Sequence, residues 1–208
     1  FFCYFLAFIK IYIYKKILMV KYMYRYLVFF TFICSYINDI NAKQITPVSN
    51  IDLSCYTGKW FQVATSRSTK LFGTGIDFKN VSAEYKCLDE CSNNIISVYN
   101  EGLNKFDKHV SISGYSYCKN NSMPSKRKLI FENVPFEGNY WIVKLGPVVN
   151  MKYDYAIVSG PLNNFFGTRF SLYVLCRDVK KYKENYEEEV REWCKNNGFK
   201  FWWNEYIK

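Results

Sequence analysis

The sequence predicts an all-β domain, a sandwich or a barrel, followed by one helix and a short last strand. Its 208 residues include 19 Tyr and 18 Phe, side chains that pack well on the pleated surface of a sheet. From residue 58 onward, eight short β-like runs alternate with turn residues, a spacing typical of an all-β domain rather than of a βαβ sheet. The runs cover residues 58–66, 78–88, 95–101, 108–118, 126–134, 139–145, 153–159 and 170–177.

The first 42 residues predict an N-terminal signal segment. The sequence opens on Phe, so we expect the start of translation at Met19 or Met23. Basic residues, the apolar run 27–37 and a small residue at Ala42 follow, as in a secretory signal peptide cut after Ala42. The apolar run is short for a membrane span, which needs about 20 residues. An uncleaved signal anchor is the alternative. Residues 43–208 are then a single domain.

Alternation and periodicity assign the elements within this domain. In the run 81–87 the odd positions are apolar and the even ones polar, which predicts a strand with one dry face. The run 140–145 is apolar on both faces, so we expect another element to cover its outside. Residues 179–197 predict one helix that ends at Gly198, and residues 199–206 resume strand character. The apolar stripe of this helix consists of Tyr182, Tyr186, Val190 and Trp193.

The cysteines of the domain predict disulfides. Six of the eight cysteines lie beyond residue 42, and an even number in a secreted chain favours pairing. Six cysteines allow 15 connectivities, among which spacing does not choose. The candidates are Cys55, Cys87, Cys91, Cys118, Cys176 and Cys194.

Charge and motifs argue against several classes of function. Residues 1–42 hold five of the 28 basic and one of the 18 acidic residues, so the domain carries a net charge of +6. Its Lys residues are scattered singly, which does not fit a nucleic-acid interface. No hydrolase, zinc-protease or phosphate-loop motif is present. With His109 as the single histidine, a His/Cys metal site or a catalytic triad is not expected, nor is a resident cofactor.

Three sequence blocks resemble the signatures of the lipocalin family. Gly58-Lys-Trp60-Phe is similar to the Gly-x-Trp block, and a short turn-like segment, 51–56, precedes it. Tyr153-Asp154-Tyr155 resembles the second block, and the run ending in Arg177 resembles the third. The likeness covers residues 50–206 and is nearest to the bacterial-lipocalin and apolipoprotein-D-like branch. With the AT-rich codon bias, it points to an apicomplexan member, of the malaria-parasite type.

The resemblance implies an eight-stranded antiparallel up-and-down β-barrel, the lipocalin calyx, with the helix packed outside. It also implies that Trp60 and Arg177 form a cation–π pair that closes one end of the barrel. These residues, with Gly58, Asp154 and Tyr155, are then marks of the fold rather than catalytic residues.

An eight-stranded barrel encloses room for one small ligand. Positions equivalent to family ligand contacts imply a lining that is apolar with three phenolic hydroxyls, suited to a hydrophobic molecule with a polar end. The lining is Ala83, Tyr85, Ile96, Val98, Leu129, Phe131, Tyr140, Ile142, Tyr173 and Leu175. Leu71 and Phe72, in the loop 67–77, are expected to act as a lid over the mouth. The alternative is that these side chains fill the barrel.

Three functions remain open. The first is a secreted, non-enzymatic carrier or sequestering protein for a lipid, sterol, retinoid or tetrapyrrole such as haem, which exchanges ligand with membranes and forms homo-oligomers. The second is an interaction module with a filled barrel and exposed aromatics such as Trp202 and Trp203. The third is an enzyme that uses a free, low-pKa thiol at Cys176 or Cys118. In an intracellular parasite, the expected compartment is the parasitophorous vacuole or the digestive vacuole.

Overall fold

A computed structural model describes residues 19–26, 45–70, 78–88, 94–164, 167–200 and 205–208. The chain forms two compact units, Phe1–Lys43 and Gln44–Lys208. In the first unit the described residues, 19–26, are helical. Within the described ranges no helix has the length and apolar character needed to cross a membrane. The predicted cut after Ala42 lies outside the described residues and stays a prediction.

The second unit is a closed antiparallel barrel. The eight barrel strands are β1 (Gly58–Ser66), β2 (Lys79–Cys87), β3 (Ile96–Leu103), β4 (His109–Cys118), β5 (Lys126–Phe131), β6 (Gly138–Leu145), β9 (Tyr155–Asn164) and β10 (Gly167–Cys176). With the short strand β11 (Tyr206–Ile207), the sheet runs in the order β10-β9-β6-β5-β4-β3-β2-β1-β11, and β10 also pairs with β1, which closes the cylinder. The predicted fold is therefore confirmed.

The remaining elements are short or lie outside the barrel. Two small strands between β6 and β9 form a hairpin that the sequence did not predict, with both turn residues, Asn150 and Met151, at positive φ. The elements are β7 (Val148–Val149), β8 (Lys152–Tyr153), β11 (Tyr206–Ile207), α1 (Leu53–Tyr56), α2 (Arg67–Thr69), α3 (Val179–Asn185) and α4 (Glu187–Asn196).

The single helix predicted over 179–197 is wrong in one respect, because the structure breaks it at Tyr186. The backbone of Tyr186 leaves helical geometry, with φ −129° and ψ −18°. Its hydroxyl donates a hydrogen bond to Asp154 at 2.7 Å, and its ring lies 5.2 Å from the ring of Tyr155. These tertiary contacts on the barrel wall hold Tyr186 at a kink that local periodicity does not encode.

The described residues near the end of the chain depart from the predicted strand at their first two positions. Gly198 adopts φ +94° after α4, as expected for a glycine that ends a helix. Residues 197–200 are turn, so the strand predicted over 199–206 is wrong at residues 199 and 200. At the other end of the predicted range, Tyr206–Ile207 form a strand beside β1. Residues 201–204, with Trp202 and Trp203, lie outside the described part of the chain.

Two hydrophobic clusters lie on opposite sides of the barrel wall. The inner cluster lies on the interior face and includes Trp60, Tyr85 and Ile142. The outer cluster lies between the wall and α3–α4, where Tyr182 and Val190 are buried. Val143 belongs to this outer cluster and Trp141 packs against it, so the helices cover the outside of β6, as predicted for a strand that is apolar on both faces.

The helical cover makes a measurable contribution to stability. Val190 is fully buried, so Val190→Ala is expected to lower the free energy of unfolding by about 2 kcal/mol, through lost burial and the cavity left behind. Chemical denaturation measures this change. Glu188→Ala, on the exposed side of the same helix, is the control and should change stability by less than about 0.5 kcal/mol. Equal effects of both variants would contradict the packing described for α4.

Candidate functional site

One end of the barrel is closed by α1 and the first residues of β1. Asp52 caps α1 by accepting hydrogen bonds from the backbone N–H groups of Ser54 and Cys55. This short turn carries Tyr56 under the barrel, where the side chain is fully buried. Trp60 follows on β1, also fully buried, and its indole N–H donates to the carbonyl oxygen of Tyr56 at 2.8 Å. We call this end the floor.

Arg177 completes the floor. Its guanidinium carbon lies 3.7 Å from the centre of the Trp60 ring, so the structure brings together the pair that the resemblance implied. Its N–H groups donate to the carbonyl oxygens of Cys55, Tyr56, Thr57, Lys59 and Tyr153. Burial lowers the pKa of Arg177 to about 10, and the group remains charged at neutral pH.

Gly58 is required by this arrangement. Its φ is +101°, a conformation that residues with a side chain rarely adopt. A Cβ at this position would lie 3.2 Å from Nη1 of Arg177. The first residue of the Gly-x-Trp block therefore lets the backbone approach the arginine that the third block supplies.

Asp154 and Tyr155, the second block, act on the outer side of the wall. The Asp154 carboxylate accepts hydrogen bonds from Lys181 at 2.6 Å and Tyr186 at 2.7 Å, which attaches α3 to the barrel. The ring of Tyr155 is buried in the outer cluster, and its hydroxyl donates to Glu189 on α4. Both residues hold the helices in place.

Three tyrosine hydroxyls meet in the interior above the floor. The hydroxyl oxygens of Tyr56 and Tyr140 are 2.6 Å apart, and Tyr140 donates to Tyr85 at 2.9 Å. Because Tyr140 has one proton and donates it to Tyr85, Tyr56 must be the donor to Tyr140. Burial raises the pKa of Tyr85 to about 12 and raises those of Tyr56 and Tyr140 well above the ordinary value. All three phenols are neutral at physiological pH.

A second arginine, Arg127, lies inside the barrel beside these tyrosines. Its side chain is fully buried and donates to Ser116 Oγ, and to the carbonyl oxygens of Asn94, Ser116 and Pro124. Burial lowers its pKa from the ordinary value. The sequence analysis did not select Arg127. Its alternation with Leu129 and Phe131 on β5 is the signal that places it on the inner face.

The ten predicted lining residues all belong to the inner cluster. Seven are buried: Ala83, Tyr85, Ile96, Val98, Tyr140, Ile142 and Leu175. Leu129, Phe131 and Tyr173 are partly buried and pack against them. Cross-strand register explains the grouping, because Tyr85 pairs with Val98, and Tyr173 pairs with Val158 across the β9–β10 ladder. The structure thus brings the predicted set to one face of the sheet.

Asn100 is an inner-face residue that the sequence analysis missed. It pairs with Ala83 on one side and Ile112 on the other. Its Oδ1 atom is buried and has no hydrogen-bond partner. A buried unpaired acceptor is uncommon in a folded protein.

The structure describes neither of the two predicted lid residues and five of the six predicted disulfide cysteines. Leu71, Phe72 and Cys91 are outside the described residues. Cys87 is disulfide-bonded. The other four candidates, Cys55, Cys118, Cys176 and Cys194, are free thiols, so pairing of all six is not what the structure has.

The free thiols are held by non-covalent contacts. The thiol of Cys55 donates to the Asp52 carboxylate at 3.4 Å, and that of Cys118 lies 2.9 Å from the carbonyl oxygen of Asn120. Burial raises the pKa of both Cys176 and Cys194 to about 12. Cys176 therefore lacks the low pKa that a thiol-dependent enzyme requires.

His109 and a surface groove are on the outer face. His109 is exposed and lies 3.2 Å from the carboxylate of Glu101. A groove of about 480 Å³ crosses the outside of β2–β5, with Tyr99 and Tyr115 exposed along it. Glu84, which also lines it, has the opposite orientation to Ala83 and Tyr85. Most residues that line the groove face outward, but Val98 and Phe131 of the inner cluster also border it. The side chains of the inner cluster define the candidate site.

Comparison with known proteins assigns the family. The model of the lipocalin-like domain matches residues 51–204. The chain belongs to the lipocalin family. Outer membrane lipoprotein Blc of Vibrio cholerae is 33% identical over 120 residues, which are 57% of this chain and 64% of that protein. The lipocalin chain thus spans just under two thirds of this relative. The Blc protein of Citrobacter freundii is 26% identical over 163 residues, 75% of this chain and 85% of that one.

Solved structures show the same fold. H1 crustacyanin from the lobster Homarus americanus matches with a TM-score of 0.53 and 19% identity, over 82% of each chain. Lobster apocrustacyanin A1 matches with a TM-score of 0.53 and 16% identity, over 74% of this lipocalin and 76% of that chain. The sequence relatives support the predicted bacterial-lipocalin branch. Both relatives are bacterial and do not support the apicomplexan origin, which stays a prediction from composition.

The floor predicts a large effect of Arg177 on stability. Arg177→Met removes the cation–π contact and leaves buried carbonyl groups without donors, so the free energy of unfolding should fall by about 3 kcal/mol or more. Urea denaturation followed by circular dichroism measures it. Arg191→Met is the control, since that guanidinium is exposed and its ion pair with Glu187 contributes about 1 kcal/mol at most. A similar loss of unfolding free energy in both variants would contradict the role of Arg177 in closing the floor.

Proposed function

We propose that this lipocalin binds a small hydrophobic ligand inside the barrel and carries or sequesters it without chemical change. The observation that carries the proposal is the inner cluster: ten predicted lining residues face one interior, with neutral phenols at its closed end. Apolar walls with a few converging polar groups are the usual composition of a small-molecule site. We further propose that the protein acts after export through the secretory pathway, with the vacuolar compartments of a parasite as the expected destination.

The position of the single histidine favours a lipid, sterol or retinoid over haem. His109 points away from the interior, so it does not offer an imidazole ligand to an iron inside the barrel. The interior residues offer hydroxyl and amide groups, which suit the polar end of an otherwise apolar molecule.

Ala83→Phe tests whether ligand occupies the interior. Ala83 is buried on the inner face, so a phenyl ring there should exclude ligand and reduce uptake from a lipid extract at least about tenfold. Native mass spectrometry of the folded domain measures the uptake. Glu84→Phe is the matched control, because Glu84 is the next residue after Ala83 on the same strand and faces out. Uptake that is unchanged in Ala83→Phe, with the fold intact by circular dichroism, would locate ligand outside the barrel.

We also propose that the mouth of the barrel exchanges ligand with a lipid surface. Successive antiparallel strands place the β3–β4 and β5–β6 loops at the end opposite the floor. Phe106 and Phe136 in these loops are 69% and 73% exposed. The Lys105 ammonium lies 4.9 Å from the centre of the Phe106 ring. Exposed aromatic rings beside a lysine fit the interfacial region of an anionic bilayer.

Phe106→Ser combined with Phe136→Ser should lower binding to vesicles of phosphatidylcholine and phosphatidylserine by about tenfold or more, since each ring adds apolar burial. Co-sedimentation measures this, and transfer of a fluorescent lipid between vesicles should slow in parallel. Met151→Ser is the control, because Met151 is equally exposed, at 73%, but lies at the floor end. If Met151→Ser weakens binding as much as the double variant, the mouth is not the docking end.

A further inference from the structure

Two exposed tyrosines are neighbours on the outer face of the barrel wall. Tyr99 on β3 and Tyr115 on β4 both line the groove of about 480 Å³ that crosses the outside of β2–β5. Tyr99 pairs with Ser113, and Tyr115 pairs with Ser97, so the two tyrosines occupy diagonal positions across the β3–β4 ladder. Diagonal neighbours on one face of a sheet are within reach of aromatic side chains. The groove therefore presents two adjacent phenol rings to solvent.

A carboxylate stands on each side of this aromatic pair. Glu84 on β2 is the cross-strand partner of Tyr99. The backbone N–H of Glu132 donates to the carbonyl oxygen of Ser113, which places Glu132 beside β4 on the other side. Three strand spacings separate the two acidic positions, a distance of about 14 Å. Among the described residues that line the groove, the one ammonium group is that of Lys86, and it lies 3.1 Å from the Glu84 carboxylate.

The charges and hydrogen-bonding groups of the groove select against several ligands. A polyanion would meet the carboxylates of Glu84 and Glu132, and the nearby Lys86 is already paired. A peptide cannot add to the sheet as a further strand here, because each of β2–β5 already pairs with a neighbour on both sides. An acyl chain has no donor to offer the two carboxylates. The groove therefore suits a neutral ligand with hydroxyl donors and flat apolar faces.

We propose that this groove binds a soluble, neutral oligosaccharide. In a β-linked glucose chain the ring substituents are equatorial, so both faces of each pyranose ring carry only C–H groups. These faces stack on Tyr99 and Tyr115, whose negative ring faces attract the C–H hydrogens and whose side chains lose little entropy on binding. Hydroxyl groups at the edges of the sugar donate to Glu84 and Glu132 in strong, charge-assisted hydrogen bonds. The site is independent of the ligand proposed for the barrel interior.

Cellotetraose and tetragalacturonate test the class of ligand. Titration of the folded protein with cellotetraose should shift nuclear magnetic resonance signals of the sugar ring protons upfield, because these protons lie over the tyrosine rings. The anionic tetragalacturonate should bind at least about tenfold more weakly at physiological ionic strength, where the distant positive charges of the protein are screened and the two carboxylates of the groove are not. Absence of cellotetraose binding, or equal or tighter binding of tetragalacturonate, would overturn the proposal.

Variants of Tyr99 test the stacking. Tyr99→Ala should lower the affinity for cellotetraose at least about tenfold and remove the upfield shifts, whereas Tyr99→Phe keeps the ring and should retain the affinity within about threefold. Phe61→Ala is the matched control, because Phe61 on β1 is 37% exposed, against 38% for Tyr99, and lies outside the residues that line the groove. Equal losses in Tyr99→Ala and Phe61→Ala, or a tenfold loss in Tyr99→Phe, would overturn the stacking.

Glu132→Gln tests the carboxylate. It should lower the affinity for cellotetraose about threefold to tenfold and should reduce the discrimination against tetragalacturonate, since a negative charge leaves the groove. Glu188→Gln, which removes an exposed charge on α4, should leave the ratio of the two affinities unchanged. If neither Glu132→Gln nor Glu84→Gln changes that ratio, the role given to the two carboxylates is wrong.

The same variants distinguish other occupants of the groove. Binding of decaproline instead of cellotetraose, lost in Tyr99→Ala, would assign the groove to a proline-rich peptide and overturn the proposal. A dimer that dissociates in Tyr99→Ala, measured by analytical ultracentrifugation without any sugar binding, would assign it to a second copy of the chain. Ala83→Phe obstructs the barrel interior and should leave cellotetraose binding unchanged, so failure of the outer site and failure of the proposed function are separate results.

Discussion

The contact between the Arg177 guanidinium and the Trp60 ring is the constraint on which the closed end of the barrel depends. A cylinder of eight strands is open at both ends, and an apolar interior needs at least one end sealed against water. Arg177 seals it by donating to carbonyls of α1, β1 and β8, three segments that are separate along the chain. The positive φ of Gly58 admits the guanidinium. The first and third signature blocks thus form the closure, and the second block attaches the helices to the outside of the barrel.

The distribution of charge follows from this closure. On the outside of the wall, Asp154 pairs with Lys181, and Lys144 pairs with Glu189, so acidic and basic groups compensate one another. Inside, the described residues supply cations without carboxylates. Water cannot screen a charge in the interior as it does at the surface. The charge of Arg127 therefore acts more strongly on neighbouring groups than the charge of an exposed lysine does. The interior combines an apolar wall with a positive closed end.

Much of the fold and the lining could be predicted, because strand alternation and the signature blocks are local in sequence. The misses have a different physical origin. The break at Tyr186 depends on Asp154 and Tyr155, which are more than 30 residues away along the chain. Disulfide pairing depends on distances that an even number of cysteines does not give, and Cys55 has instead its hydrogen bond to Asp52. Composition does not distinguish Arg127 from the other basic residues, because only its inward orientation sets it apart.

The segment Lys126-Arg127-Lys128 shows how orientation decides that role. The Lys126 ammonium lies 4.8 Å from the centre of the outward-facing Trp141 ring, and Lys128 donates to the side chain of Asn139 at 2.8 Å. The central residue alone points inward, where Tyr140 is its cross-strand partner. Three successive cations therefore divide between solvent and the barrel interior by the period of two of a β-strand.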